Sequence, residues 1–260
     1  MDEHTFIYLI NSDIIIVSKE IAAEEHHHHA IKIAINLEDN SGIIFNKSEI
    51  KQNTLILNSD KSHSLDSRSN SIIILLINPE SETGNHIRNK YLNHSDSSVI
   101  NIKYNRHLTG HFHEISSNPQ SKAMVLDMYS DIIEKVCGKP SGSFSMDDRI
   151  QKIFKEINKM EEKKLPAKDL ASLAYLSESR FMHLFKQEVN IPVRQFLSWL
   201  RLLDAVKLLI RGETLTEAAM ISGFTDLPHL HKTFTHFFGV KISDYFKNSR
   251  FIQVRDFSDV

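Results

Sequence analysis

The pattern of apolar and polar positions divides the chain in two. As far as about residue 80 the apolar residues come in short runs: Phe6–Ile10, Ile14–Val17, Ala30–Leu37, Gly42–Asn46, Thr54–Leu57 and Ser71–Ile77. These runs are rich in Ile, Val and Thr and are separated by Asn, Ser, Asp and Gly, so they predict short strands joined by turns. In the third run Ile31, Ile33 and Ile35 alternate with Lys32, Ala34 and Asn36, which gives the strand one strongly apolar face. A meander of this kind suggests a β-barrel or sandwich. From about Glu82 the period changes. His86–Leu92 and Ser121–Cys137 predict helices, the second with Met124, Leu126, Met128, Ile132, Ile133 and Val136 as an apolar stripe wide enough for core or partner packing.

Gly138-Lys-Pro-Ser-Gly-Ser143 combines glycine, proline and serine with no large apolar residue, the composition of a linker. Beyond it everything reads as helix: Asp147–Lys159, Pro166–Ala174, Ser179–Glu188, Val193–Ile210, Thr216–Ser222, Leu227–Phe238 and Ser243–Asn248. The expected division is a strand-rich domain over residues 1–137, a linker over 138–146, an all-α domain over 147–250 and a tail over 251–260.

The helical half contains a diverged internal repeat. In the first copy, within about 166–188, a short helix through Leu170 and Ala171 ends near Ala174. After a tight turn, a second helix presents Phe181, Leu184, Phe185 and Glu188 at i, i+3, i+4 and i+7. In the second copy, within about 214–238, Ala219 matches Ala171 at an offset of 48 and Phe234 matches Phe185 at 49, so one extra residue falls in the turn. Thr214-Leu-Thr-Glu217 is a capping box opening this copy, and Gly223 suits the positive φ that ends a helix. Pro228 lies in the first turn of its helix, where no backbone N–H is needed. Opposite the phenylalanines lie Ser179, Arg180, His183, Lys186 and Gln187 in one copy, and His229, His231, Lys232, Thr235 and His236 in the other. These side chains can donate to base edges and phosphates. Two α-hairpins of an ordinary bundle would show similar segments. The matched register and the long helix joining the copies favour a pair of helix-turn-helix units.

Over about Asp148–Arg250 the chain resembles the AraC/XylS-type regulators. The resemblance is carried by Leu170-Ala171, Ser177, Phe181, Leu184-Phe185-Lys186, Phe196-Leu197, Arg201-Leu202, Ala205, Leu208-Leu209, Thr216-Glu217-Ala218-Ala219, Gly223-Phe224, Leu230, Phe234, Phe237-Phe238-Gly239-Val240 and Tyr245. It implies a seven-helix domain that binds double-stranded DNA. The family's base-reading positions fall on Ser179, Met182, His183, Leu227, Pro228, His229, His231 and Lys232. The N-terminal half looks, more loosely, like the cupin-like sensor half of many such regulators. The resemblance thus implies an α+β two-domain protein, a cupin-like β-barrel with helices followed by the double helix-turn-helix domain. It further implies control by a small-molecule effector, a homodimer, and RNA polymerase as a further partner.

Charge changes the picture only when it is resolved along the chain. The net charge is −2. Residues 1–146 hold 13 Lys+Arg against 18 Asp+Glu, a balance of −5, whereas 147–260 hold 18 against 15, a balance of +3. The asymmetry points the second half towards an anionic partner. Cys137 is the only cysteine, so no intramolecular disulfide or multi-cysteine metal site can form, and a reducing cytosol is expected. No apolar run approaches membrane-spanning length.

The conspicuous chemistry of the first half is His26-His27-His28-His29. On an extended chain His26 and His28 share a face, and His63 lies in an expected turn between later strands. Three readings stay open: a structural or surface cluster, an effector pocket lined by His26, His28 and His63, or a divalent metal site of the kind cupins build from His-x-His and a distant His. No cofactor is otherwise expected. His107, His111 and His113 read as surface or loop residues. An enzyme, a metal-dependent cupin dioxygenase or isomerase, would need an acidic fourth ligand at regular spacing; Glu24, Glu25 and Glu38 are the candidates, none well placed. An adaptor using the helices for protein contacts is the third function class. No Gly-rich phosphate loop, Gly-x-Ser-x-Gly or paired-carboxylate motif occurs, so catalysis is not expected.

Overall fold

The computed structural model describes residues 5–38, 42–93, 95–102, 106–138, 146–159, 166–189, 191–238, 241–243 and 252–257. The chain forms two compact units, Met1–Gly142 with Phe238–Val260, and Ser143–Phe237. Most of the expected linker and of the closing helix Ser243–Asn248 lies outside the described residues.

In chain order the first unit contains β1 (Thr5–Ile10), β2 (Asp13–Ser18), β3 (Ala22–His26), β4 (Ile31–Asn36), β5 (Ile43–Phe45), β6 (Ser48–Ile50), β7 (Thr54–Leu57), β8 (His63–Asp66) and β9 (Ile72–Ile77). Then follow α1 (Glu82–Tyr91), β10 (Ser97–Ile100), α2 (Arg106–Ser117) and α3 (Lys122–Cys137). A last strand is Ile252–Asp256, β11 once the helices of the second unit are numbered. The strands form two sheets. One has seven strands in the order β10-β7-β4-β9-β2-β1-β11, and the other has four, β3-β8-β5-β6.

The large sheet is buried on both faces, which explains why β9 is a continuous Ile/Leu run rather than an alternation. One face, with Ile15, Val17, Ile31, Ile33, Ile35, Ile73 and Leu75, packs against Ile87 of α1, Phe112 of α2, and Val125, Met128 and Ile132 of α3. The apolar stripe of α3 is therefore used in the domain's own core. The other face carries Ile74, Leu76, Ala34 and Lys32, and the small sheet covers it through His26 of β3 and His63 and Leu65 of β8.

Local chemistry sets the hairpins. The β1–β2 turn holds Asn11 at φ 54, a left-handed conformation that asparagine tolerates. Asn46 and Lys47, at φ 48 and 64, make the two-residue turn between β5 and β6. In the tail, β11 runs parallel to β1, the Phe257 N–H donates to the Leu9 carbonyl at 2.7 Å, and the Phe257 ring stacks on Tyr8 at 5.5 Å. His111, expected at the surface or in a loop, is instead buried on α2 with Nε2 3.1 Å from Asp127 of α3, whereas His113 on the same helix is exposed. The side chain of His107 lies outside the described residues.

The second unit is helical: α4 (Asp148–Lys159), α5 (Ala167–Leu173), α6 (Glu178–Val189), α7 (Val193–Ile210), α8 (Leu215–Ile221) and α9 (Leu227–Phe238, whose last residue groups with the first unit). Phe185 is its packing centre near α4, with ring centroids 5.7 Å from Phe181, 6.0 Å from Phe154 and 5.4 Å from Phe196. One turn beyond Phe196 along α7, Trp199 meets Phe237 of α9 at 5.4 Å. Among the described residues no helix is long and apolar enough to cross a membrane.

Candidate nucleic-acid interface and effector pocket

The two helix pairs α5–α6 and α8–α9 repeat one another down to single hydrogen bonds. The Leu176 N–H donates to the Ala171 carbonyl at 2.9 Å, and the Phe224 N–H donates to the Ala219 carbonyl at 2.9 Å, 48 positions on. Just before, Tyr175 donates to Ser172 at 3.1 Å and Gly223 to Met220 at 3.2 Å. Each of these turn residues has positive φ, 56 for Tyr175 and 90 for Gly223. Ala171 and Ala219 are both buried, and their small size lets the first helix of each pair approach the second. The extra residue of the second copy is Thr225. After it the offset becomes 49: Ser177 caps α6 through Oγ to the Arg180 N–H at 3.4 Å, and Asp226 caps α9 through Oδ1 to the His229 N–H at 2.7 Å. The capping box of Thr214 and Glu217 is formed at the start of α8.

With the phenylalanines buried, the opposite faces are solvent-facing. Ser179, Arg180, Met182, His183, Lys186 and Gln187 are exposed along α6. On α9 Pro228 and Lys232 are exposed, and Leu227, His229 and His231 are half-buried. His229 is oriented by its own turn, since its Nδ1 lies 3.0 Å from Thr225 Oγ1. Arg149 of α4, not singled out by sequence, lies beside Ser179, Arg180 and His183 in a shallow depression, where its Nε and Nη2 donate to the two carboxylate oxygens of Asp147 at 2.9 and 2.7 Å. The helix α7 that joins the pairs has 18 residues. At 1.5 Å per residue it is about 27 Å long.

In the first unit the structure brings His26, His28 and His63 together, all buried, with one ring nitrogen of each within 4.8 Å of the others. His63 is not in a turn; it opens β8, opposite His26 of β3. As alternation requires, the other two histidines point elsewhere: His27 lies 3.7 Å from Asp60, and His29 lies 2.6 Å from the buried Glu80. Each clustered ring places Nδ1 against a backbone carbonyl two residues away, His26 on Glu24 at 2.7 Å, His28 on Ala30 at 2.9 Å and His63 on Lys61 at 2.8 Å. A carbonyl oxygen can only accept, so Nδ1 carries the proton and every Nε2 presents a lone pair.

The residue at the focus is Lys32, which sequence placed on the polar side of β4. It is 4% exposed, and its Nζ donates to His63 Nε2 at 2.6 Å and to His26 Nε2 at 3.3 Å. Burial pulls the Lys32 ammonium down from 10.5 to about 7. Burial first, and then the charge on Lys32, holds His26 down at about 4, His63 at about 2 and His28 well below its ordinary value. Among the described residues Lys32 pairs with no carboxylate. Glu24, Glu25 and Glu38 are exposed and outside the cluster. Lys32, His26 and His28 form the polar end of a cavity of about 220 Å³ whose remaining wall includes Ile16, Ile21, Leu65, Ile74 and Leu76.

Residues 170–248 match a family model described as a helix-turn-helix domain. A probable transcriptional regulator, LumQ, from Photobacterium leiognathi is 31% identical over 86 residues, covering 32% of this chain and 34% of that protein. The match therefore spans about a third of the length of the curated relative. A crystal structure of ToxT from Vibrio cholerae is similar to 94% of this chain over 96% of its own length, with a TM-score of 0.54 and 16% identity. A second ToxT structure, described as bound to an unsaturated fatty acid, aligns with 94% of this chain and 93% of its own at the same TM-score and identity. At that identity the likeness establishes the fold.

Proposed function

We propose that this chain, whose residues 170–248 match a helix-turn-helix family model, is an AraC-type transcription regulator that reads duplex DNA and answers to a small amphipathic carboxylate. DNA is read through α6 and α9. The observation that carries this reading is the turn repeated bond for bond in α5–α6 and α8–α9, each followed by a capped helix with an exposed polar face. Two such helices at the ends of a roughly 27 Å connector suit successive major grooves about 34 Å apart on one face of the duplex. Arg180, His183, His229, His231 and Lys232 contact base edges or adjacent phosphates, and Lys186 contacts phosphate. The protein acts in the cytoplasm, with a second copy of itself and RNA polymerase as partners on DNA.

Control rests on Lys32. A buried ammonium without a carboxylate partner is an incomplete ion pair, and the cavity beyond it is apolar. A carboxylate head on Lys32 with a hydrocarbon body along Ile16, Ile74 and Leu76 would complete the pair and fill the space. The unsaturated fatty acid described in ToxT is a ligand of that kind. The cluster then has a binding role and no catalytic one, in keeping with the exposed positions of Glu24, Glu25 and Glu38.

The test uses the full chain and DNA recovered by genome-wide mapping of its bound sites. Replacing Arg180, His183, His229 and Lys232 together by alanine should abolish sequence-specific affinity, and Lys186→Ala should lower the slope of log affinity against log salt by about one. A monounsaturated fatty acid should change the DNA affinity of the native chain and leave that of Lys32→Met unaltered. Unchanged operator affinity in the quadruple variant would sink the DNA assignment, and an equal fatty-acid response in Lys32→Met would sink the effector assignment.

A further inference from the structure

We propose that His26, His28 and His63 form a binding site for one divalent first-row transition ion, which enters by displacing the Lys32 ammonium from their focus. The histidine geometry is more specific than an effector contact requires. Three rings from two strands and the segment after β3 each anchor Nδ1–H on a main-chain carbonyl. That outer bond is the usual means by which a metal-binding imidazole is held in one tautomer and one orientation, with Nε2 free to coordinate. Here it recurs three times around one point.

A second observation is independent of the first. His28 Nε2 is buried and has no hydrogen-bond partner, although its residue is only 2% exposed. A lone pair left so is unfavourable unless something else comes to it. The other two Nε2 atoms do hold a cation, the Lys32 ammonium at 2.6 and 3.3 Å. The focus is thus already a cation position, with one of its three donors unused. A transition ion at about 2.0–2.1 Å from each nitrogen would use all three. Imidazole donors suit zinc, nickel, copper and iron rather than magnesium or calcium. The fourth position would open on the cavity that Lys32, His26 and His28 line, where water or an anion can complete the shell and the displaced lysine can lie. Ion and ammonium cannot share the focus, because two cations a few ångströms apart in a buried site repel by several kcal/mol even at an effective dielectric of about 20.

Competition makes the proposal testable without any reference to DNA or fatty acid. Full-length protein, stripped with a chelator, is exposed to Zn²⁺ or Co²⁺ and desalted. Bound metal is then counted by mass spectrometry, and the Co²⁺ form is examined for the visible bands of a nitrogen-ligated ion. The native chain should retain a single ion. Lys32→Met should bind about tenfold tighter or more, since the competing charge is gone. Lys32→Glu should do so too, by adding a carboxylate ligand; a gain of affinity cannot be produced by misfolding. His28→Ala and His63→Ala should lose the ion, and an exposed histidine such as His183 of α6 sets only the background these variants retain.

Metal retention by the native chain no greater than that of His63→Ala would overturn the proposal. So would retention that appears only when Lys32 is replaced, because the ammonium would then be the permanent occupant. Either failure leaves the DNA and effector readings standing, since those are measured by DNA affinity.

Discussion

Replacing Lys32 by methionine should stabilise the N-terminal domain near pH 6.5 and destabilise it near pH 10. The ammonium has a pKa of 10.5 in the unfolded chain and about 7 in the fold, because burial removes its water. Between those values the unfolded state binds the proton and the folded state does not, so this group makes stability rise with pH from about 7 to 10.5. Below about 7 both states are protonated and the full penalty applies. The fall from 10.5 to about 7, at about 1.36 kcal/mol per tenfold change in proton affinity, bounds that penalty at about 5 kcal/mol. Methionine removes it but strands the Nε2 acceptors of His63 and His26, at about 1–2 kcal/mol each. The balance is a gain of about 1–3 kcal/mol at pH 6.5, and at pH 10, where the native lysine is largely neutral, only the loss of the two hydrogen bonds remains. Urea unfolding in chelator measures both. Ellipticity follows the sheet domain, and fluorescence of the single tryptophan, Trp199 of α7, follows the helical one. The two ellipticity curves against pH should cross, with the Trp199 transition unmoved. A variant that is less stable at pH 6.5, or that keeps the native pH slope, would show that the buried ammonium carries no penalty and would remove the physical reason for an anion beside it.

The three clustered histidines bind protons less readily in the fold than in the unfolded chain, where the ordinary value is 6.5. Their contribution is present above pH 6.5 and lost as pH falls towards 4, by up to about 1.4 kcal/mol per pH unit for each ring; acid should therefore unfold the sheet domain before Trp199 reports any change, and a sheet domain intact at pH 4 would contradict this. Phe185→Ala, in a ring cluster with Phe154, Phe181 and Phe196, should destabilise the helical domain by about 3–5 kcal/mol in the Trp199 transition, and a loss below 1 kcal/mol would mean that the cluster is not the packing centre. Gly223→Ala forces a side chain onto φ 90 and should destabilise the same transition by about 1–2 kcal/mol, while Tyr175→Gly relaxes the matching turn at φ 56 but gives up the ring under Lys152 at 4.7 Å, so its effect should be smaller.

The helical half was legible because its signals are local and occur twice. The boundaries Val193–Ile210 and Leu227–Phe238 coincide with α7 and α9, and the extra residue inferred in the second turn is Thr225. Tyr175 was not legible as a turn residue, since only glycine or asparagine advertises positive φ in a sequence. In the first half the apolar strands were found and the short mixed ones were missed. β3, with most of its side chains exposed, and β6 and β10, with none buried, show no alternation above the noise. Lys32 was hidden for a different reason. Alternation told correctly that Lys32, Ala34 and Asn36 face away from Ile31, Ile33 and Ile35. What buries that second face is the sheet of β3, β8, β5 and β6, whose strands are distant in sequence. The pairing of His-x-His with a distant histidine was visible, and the lysine four residues beyond His28 that occupies its centre was not.

The most direct test of the account is a hydroxyl-radical footprint of the full chain on an operator recovered by genome-wide mapping. The account predicts protection in two segments about one helical turn, roughly 10 bp, apart on one face of the duplex. Arg180→Ala with His183→Ala should erase one segment, and His229→Ala with Lys232→Ala the other. A single protected segment, or two that survive both pairs of substitutions, would contradict the claim that α6 and α9 read successive grooves.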